Sequence, residues 1–171
     1  VRVRDGRRVV FGRDDVLTFH LGMSGRWRVD PSEIGKHDHF VIETDGGRVI
    51  RLNDPRRFGA MDLCASADLD SHKMIAGLGI EPTGNGLSPA YLAARAHGKT
   101  SDLKAFLLDQ RIIAGLGNIY VCEVLFRSNL GPKRSASCLA RGKAKPTARA
   151  DRLVPVIRAV LAEAIEAGGS T

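Results

Sequence analysis

Cysteine is scarce in this chain of 171 residues: there are three, Cys64, Cys122 and Cys138, far apart in sequence. They make no Cys-x-x-Cys pair, so neither a disulfide framework nor a zinc site is supported. A reducing compartment, the cytoplasm, is the expected location. No run of 18 apolar residues occurs, so no membrane-spanning helix is expected. Val1–Arg8 carries charge with no apolar core behind it, and no export signal is expected there. Internal repeats are absent. Acidic side chains are in deficit, 19 against 26 Lys and Arg, for a formal charge of +7. That balance suits a polyanionic partner, or merely a solvated basic surface. The placement of the charges has to separate the two.

The first third of the chain alternates in the manner of strands. Arg7–Phe11, Val16–Leu21, Arg26–Asp30, His39–Thr44 and Arg48–Asn53 are the candidates, with "RDD" and "DGG" as hairpin signals. In "DHFVIET", Phe40 and Ile42 alternate with Val41 and Glu43, so both faces are partly apolar, as in a sandwich or small barrel. After Leu63 the character changes. "LGIEPTGNGLSP" reads as a Gly- and Pro-rich linker. Helical patterns follow: one opened by Ser88 as N-cap with Pro89 behind it, and one capped by Ser101 with Leu103, Phe106 and Leu107 on a face. A third starts at Asn118 with Ile119, Cys122 and Phe126 on one side. A last helix carries Leu153, Ile157, Val160, Leu161, Ala164 and Ile165, with Pro155 near its start. "ARGKAKPTAR" (140–149) reads as a basic, mobile loop. The expected class is α+β: a partial antiparallel β-sandwich over residues 1–75, a linker over 76–87 and a helical domain over 88–171.

Four stretches could carry chemistry. In "IIAGLGNIY", Gly115 and Gly117 precede a helix start whose free N–H groups would suit a phosphate; a plain helix–helix turn reads equally well. In "HLGMSG", Met23 sits between glycines, as a flexible wedge or as a cap on a sheet edge. "KHDH" sets His37 and His39 on one strand face. Without a third ligand, phosphate contact or a structural hydrogen bond is preferred to metal. "DPRRF" mounts Arg56 and Phe58 on a bend. The plain reading is surface arginines beside a buried Phe. The other is a probe that refills a duplex when a base is taken out, a job for an apolar wedge and a hydrogen-bonding fork.

Taken together, "HLGMSG", "KHDH", "DPRRFGA", "LGIEP", "LLDQRIIAGLGNIYVCEVLF" and "EAIEAGGST" occur in the order found in the formamidopyrimidine-DNA glycosylase family, and the chain resembles that family from about Gly6 to Thr171. The resemblance implies a β-sandwich followed by a helix–two-turn–helix DNA-binding domain. It implies base-excision repair of oxidised purines, 8-oxoguanine and formamidopyrimidines, in duplex DNA by a glycosylase with AP lyase activity. A monomeric, bacterial, nucleoid-associated protein is implied as well. It assigns Met23, Arg56 and Phe58 to the void left by the flipped nucleotide, with Arg56 facing the widowed cytosine. His37, Lys99, Lys104, Asn118 and Tyr120 join Arg56 as DNA-binding positions, and Glu123 matches an acidic residue of the helix after the turn. Arg7 falls at the position of the family's later catalytic lysine, where its high pKa makes it a poor proton donor.

Other parts of the family pattern are not matched. The family's N-terminal proline nucleophile and following glutamate do not correspond to Val1-Arg2. Its four-cysteine zinc finger has no counterpart, so no cofactor is expected in this chain. The expectation is an internal fragment, inactive by itself, that keeps binding and void-filling residues. A glycosylase for oxidised pyrimidines, similar to endonuclease VIII, is the alternative, as is a non-catalytic DNA-binding remnant. A ribosomal or topoisomerase-like module would explain "GLGNIY" but not "DPRRF".

Overall fold

The structure, a computed structural model, describes residues 13–169 and the backbone of Arg2–Val3. Arg7 and the strand expected at Arg7–Phe11 lie outside the described residues. Two units divide between Ala76 and Gly77.

The first unit is antiparallel. Strands β1 (Arg2–Val3), β3 (Arg26–Val29), β4 (Asp38–Glu43) and β5 (Val49–Asn53) form a sheet in the order β1-β4-β5-β3; β2 (Asp15–His20) and β6 (Ala60–Ala65) form a second. The expected strands lie within one residue of these, because alternation and β-branched content mark them locally. Asp30 ends β3 early: its φ of +45° is a turn conformation, and its carboxylate takes the Val49 N–H at 2.8 Å and Arg48 Nε at 2.7 Å. β6 was not anticipated. "AMDLCA" has no β-branched residue, and its strand form comes from pairing with β2, from Asp15↔Ala65 to His20↔Ala60. Trp27 packs edge-on against Phe19 and Phe40, with ring centroids 5.2 and 6.5 Å away. Loops Leu21–Gly25 and Asp54–Gly59 each carry the chain from one sheet to the other. They leave from the same end, because His20 faces Ala60 and Arg26 faces Asn53.

The second unit holds α1 (Pro89–Ala96), α2 (Leu103–Leu108), α3 (Asn118–Arg127) and α4 (Ala148–Glu166) around a core that includes Leu92, Leu107, Ile113, Val124, Leu153 and Ile157. Three expectations change here. Residues 77–87 are not a linker. Gly79 N–H donates to the Gln110 carbonyl at 2.7 Å, Ile80 bridges Ile113, and Leu87 is buried in the core. A Cβ on Gly79 would lie 2.4 Å from the Ile112 carbonyl carbon, so the glycine marks a close approach of chains rather than a flexible joint.

Ser88 does cap α1, accepting the Tyr91 N–H at 3.1 Å, but Ser101 does not cap α2. The Leu103 and Lys104 N–H groups go instead to the carbonyls of Arg134 and Pro132, at 2.7 and 3.1 Å. A distant loop therefore satisfies the helix start. On α3 the face carrying Ile119, Cys122 and Phe126 is the outer one. Ile119 is 62% and Phe126 81% exposed, while Val121, Val124 and Leu125 are buried. Both faces are apolar at helical spacing, and periodicity alone cannot choose between them. Finally, "ARGKAKPTAR" is not a loop. It is a hairpin of β7 (Ala140–Arg141) and β8 (Lys145–Pro146) running into α4, and α4 continues through Pro155.

Candidate nucleic-acid interface

On the first unit, Asp54 organises the end where the two inter-sheet loops emerge. The strand β5 delivers it buried at the bend, where Pro55 cannot extend the ladder. Its carboxylate accepts the Gly59 N–H at 2.8 Å and the Ser24 hydroxyl at 3.1 Å. Ser24 Oγ in turn accepts the Arg56 N–H at 3.4 Å. These bonds, the one from Gly59 foremost, hold the Asp54 pKa below its ordinary value. Gly22, at φ +65°, lets the loops touch: a Cβ there would lie 2.6 Å from the Phe58 carbonyl carbon. Arg57 also takes a positive φ, +56°, and turns the bend.

This frame presents its side chains outward. Phe58 is 56% exposed and Met23 72%, and the Arg56 guanidinium lies over the Phe58 ring, 4.8 Å from its centroid. The plain reading of "DPRRF", with a buried Phe, is overturned. His37 joins the same end through its carbonyl, which accepts the Asp54 N–H at 3.0 Å. Next to it Asp38 is buried and serves structure: Asn53 Nδ2 and the Gly35 N–H donate to it at 2.8 Å each. Burial opposes its charged form, but these bonds and the nearby Arg28 outweigh that and lower its pKa. The His37 and His39 rings stand 6.2 Å apart.

The three cysteines are free, and no group of three or more His, Cys, Asp or Glu among the described residues could hold a metal ion.

On the second unit, Gln110 shapes the turn ahead of α3. Its Oε1 accepts the Gly115 N–H at 2.7 Å and its Nε2 donates to the Leu116 carbonyl at 3.1 Å. Gly115 takes φ +79°, which only glycine adopts freely. Gly117, the N-cap residue, has an ordinary extended backbone and no neighbour near its absent Cβ. It offers no capping side chain, so the first-turn N–H groups of α3 stay available to an outside acceptor. Asn118 is exposed there, its Oδ1 taking only a long contact from Cys122 Sγ at 3.9 Å. Cys122 also lines a groove with Lys104, Phe126 and Pro132, which brings Lys104 to the α3 side.

Lys99 lines a separate recess with Arg95, His97, Asp109 and Arg111. There a hydrogen bond from the Arg111 side chain lowers the Asp109 pKa to about 2. Tyr120 packs against the core. Glu123 is engaged by Arg127 at 2.7 Å, and Arg127 also grips Glu163 at 2.8 Å, joining α3 to α4. Asp54, Ser24 and Gln110 hold the loops. The Asp-Pro step and the Ser between glycines are turn chemistry that marks the first two as bend residues, whereas Gln110 carries no local signal.

Two family models match. One is the formamidopyrimidine-DNA glycosylase N-terminal domain, over residues 3–61, and the other the formamidopyrimidine-DNA glycosylase H2TH domain, over residues 78–171. Formamidopyrimidine-DNA glycosylase from Rhizorhabdus wittichii is 54% identical, covering 97% of this chain and 61% of the relative; that from Novosphingobium aromaticivorans is 52% identical with the same coverage. The chain thus spans about three fifths of the length of the curated relatives it matches. Among solved structures, the MutM (Fpg) protein of Thermus thermophilus superposes with a TM-score of 0.78 at 36% identity, over 93% of this chain and 56% of that one. The Lactococcus lactis Fpg in complex with DNA containing an abasic site superposes with a TM-score of 0.80 at 29% identity, over 93% and 57%.

Proposed function

The chain belongs to the formamidopyrimidine-DNA glycosylase family, and from that premise we propose that the protein it represents is a base-excision-repair DNA glycosylase with AP lyase activity on oxidised purines in duplex DNA. The residues described here supply binding and void filling. The bond-breaking step is assigned to none of them, and Arg7 lies outside the described part. The observation that carries this reading is the exposed Arg56–Phe58 stack, 4.8 Å from guanidinium to ring centre, on a bend locked by the buried Asp54. A cation and an aromatic ring held outward on a rigid turn suit insertion between bases, with Arg56 offering its fork to the unpaired partner base. Met23 rises from the adjoining loop as the second apolar wedge. On the helical unit, Asn118, the open first turn of α3 and Lys104 fit phosphate oxygens. Oxidised purine is preferred to oxidised pyrimidine because "LGMSG" and "DPRRFG" resemble the purine-specific branch of the family, whereas the endonuclease VIII branch varies at these motifs.

The test is equilibrium binding of the 171-residue chain to two duplexes, one intact and one with an abasic-site analogue opposite cytosine. The abasic duplex is expected to bind more tightly. Base–aromatic stacking contributes ~1–3 kcal/mol per ring, so Phe58→Ala should weaken abasic-duplex binding by about 5- to 150-fold. Equal affinity for both duplexes, unmoved by Phe58→Ala, refutes the reading.

A further inference from the structure

We propose that the β7–β8 hairpin is a second nucleic-acid contact, an arm that grips the phosphodiester backbone of duplex DNA without regard to the lesion. The proposal rests on the DNA-binding reading above and adds to it a surface that no family position assigned here covers. Arg141, Lys143 and Lys145 are all exposed on seven residues of chain. Among the described residues no carboxylate pairs with any of them. Arg141 and Lys145 face each other across the ladder, an arrangement in which like charges repel. Ala144 adds a left-handed backbone, φ +56°, that a side chain adopts at a cost.

The hairpin is nonetheless held in place. His97 Nε2–H donates to the Gly142 carbonyl at 2.8 Å. Thr147 donates its N–H to the Leu139 carbonyl at 3.1 Å and its hydroxyl to the Cys138 carbonyl at 2.9 Å. A merely solvated loop has no need to fix three uncompensated cations against their own repulsion; a polyanion relieves that repulsion. The basic surface also continues beyond the hairpin. His97 connects it to a recess lined by Arg95, Lys99 and the Asp109–Arg111 pair, and Arg134 and Arg149 stand near its base, close enough to act on the Cys138 thiol.

The experiment measures affinity of the full 171-residue chain for intact and abasic duplexes between 50 and 200 mM salt. The variant is Arg141→Gln/Lys143→Gln/Lys145→Gln. Three phosphate contacts contribute about 2.7 to the slope of log affinity on log salt, so the variant should lose about 40-fold less affinity over that range than the unmodified chain. The loss of affinity at low salt should be the same for both duplexes, leaving lesion preference unchanged. Removing the same net charge through Arg13→Gln/Lys133→Gln/Arg152→Gln should move the slope much less, and the charge-retaining Arg141→Lys/Lys143→Arg/Lys145→Arg should restore it. An unchanged slope in the hairpin variant, or an equal change in the control, overturns the arm. Absence of lesion preference in the unmodified chain overturns the wedge reading instead, so the two failures are distinct.

Discussion

Gly22→Ala is the sharpest perturbation of the loop pair, and Gly47→Ala is its control. Both glycines have positive φ, +65° and +77°. At Gly47 a Cβ meets nothing within 4 Å, so alanine there costs only the left-handed backbone, about 1–2 kcal/mol. At Gly22 the same Cβ lies 2.6 Å from the Phe58 carbonyl carbon, 2.7 Å from its oxygen and 2.9 Å from the Gly59 nitrogen. All three are backbone atoms that cannot rotate aside. An ordinary contact requires the loops to separate by close to an ångström, and such overpacking adds ~1–3 kcal/mol. Gly22→Ala should therefore be the less stable by that second amount, and a difference of 1 kcal/mol moves the melting point of so small a unit by about 4–8 °C.

The assay is intrinsic to the first unit. Trp27 is the single tryptophan of the chain, and it packs against Phe19 and Phe40 there, so its fluorescence follows that unit in urea or heat. Duplex binding is measured in parallel. Gly22→Ala should weaken abasic-site binding because Met23 and Phe58 are moved apart, while Gly47→Ala should bind as the unmodified chain does. If the two variants melt together and bind alike, the loops do not depend on the close approach at Gly22 and the account of the wedge is wrong.

Two further outcomes follow from the second unit. The folded-state pKa of Asp109 is lowered from 3.8 to about 2, so its stabilisation is complete above about pH 4 and lost as pH falls through 2; urea titrations by circular dichroism should show Asp109→Asn less stable than the unmodified chain at pH 5, with the gap closing by pH 2. Ile157→Ala in the buried core of α4 should cost ~2–5 kcal/mol, whereas Phe126→Ala, 81% exposed, should stay within about 0.5 kcal/mol; equal losses in denaturant melts would contradict the outward placing of Phe126.

The strands at Asp15–His20, Arg26–Val29, Asp38–Glu43 and Val49–Asn53 were legible because alternation and β-branched side chains act over two or three neighbours. So was the start of α1, because the Ser88 cap and Pro89 operate within one turn. The site was half legible. "LGMSG" and "DPRRFG" stood out as residues ill suited to a core and "KHDH" as a candidate phosphate contact or structural hydrogen bond, and they meet at one end of the sandwich. Their supports did not stand out. The Asp-Pro step marks a turn but not that the Asp54 carboxylate reaches Gly59 and Ser24, and no local pattern marks the bonds of Gln110 to Gly115 and Leu116.

The sequence by itself determined the local backbone: where alternation runs, where glycine and proline force bends, and which residues are unsuited to burial. Only the tertiary structure decided which of two apolar faces of α3 turns inward, that the Arg134 and Pro132 carbonyls rather than Ser101 meet the start of α2, and that "AMDLCA" becomes a strand. It also made a seeming linker part of a core and set Arg56 over Phe58. The physical reason is range. Steric and turn preferences are settled within a few residues of chain, whereas desolvation and hydrogen-bond satisfaction depend on whatever partner arrives through space.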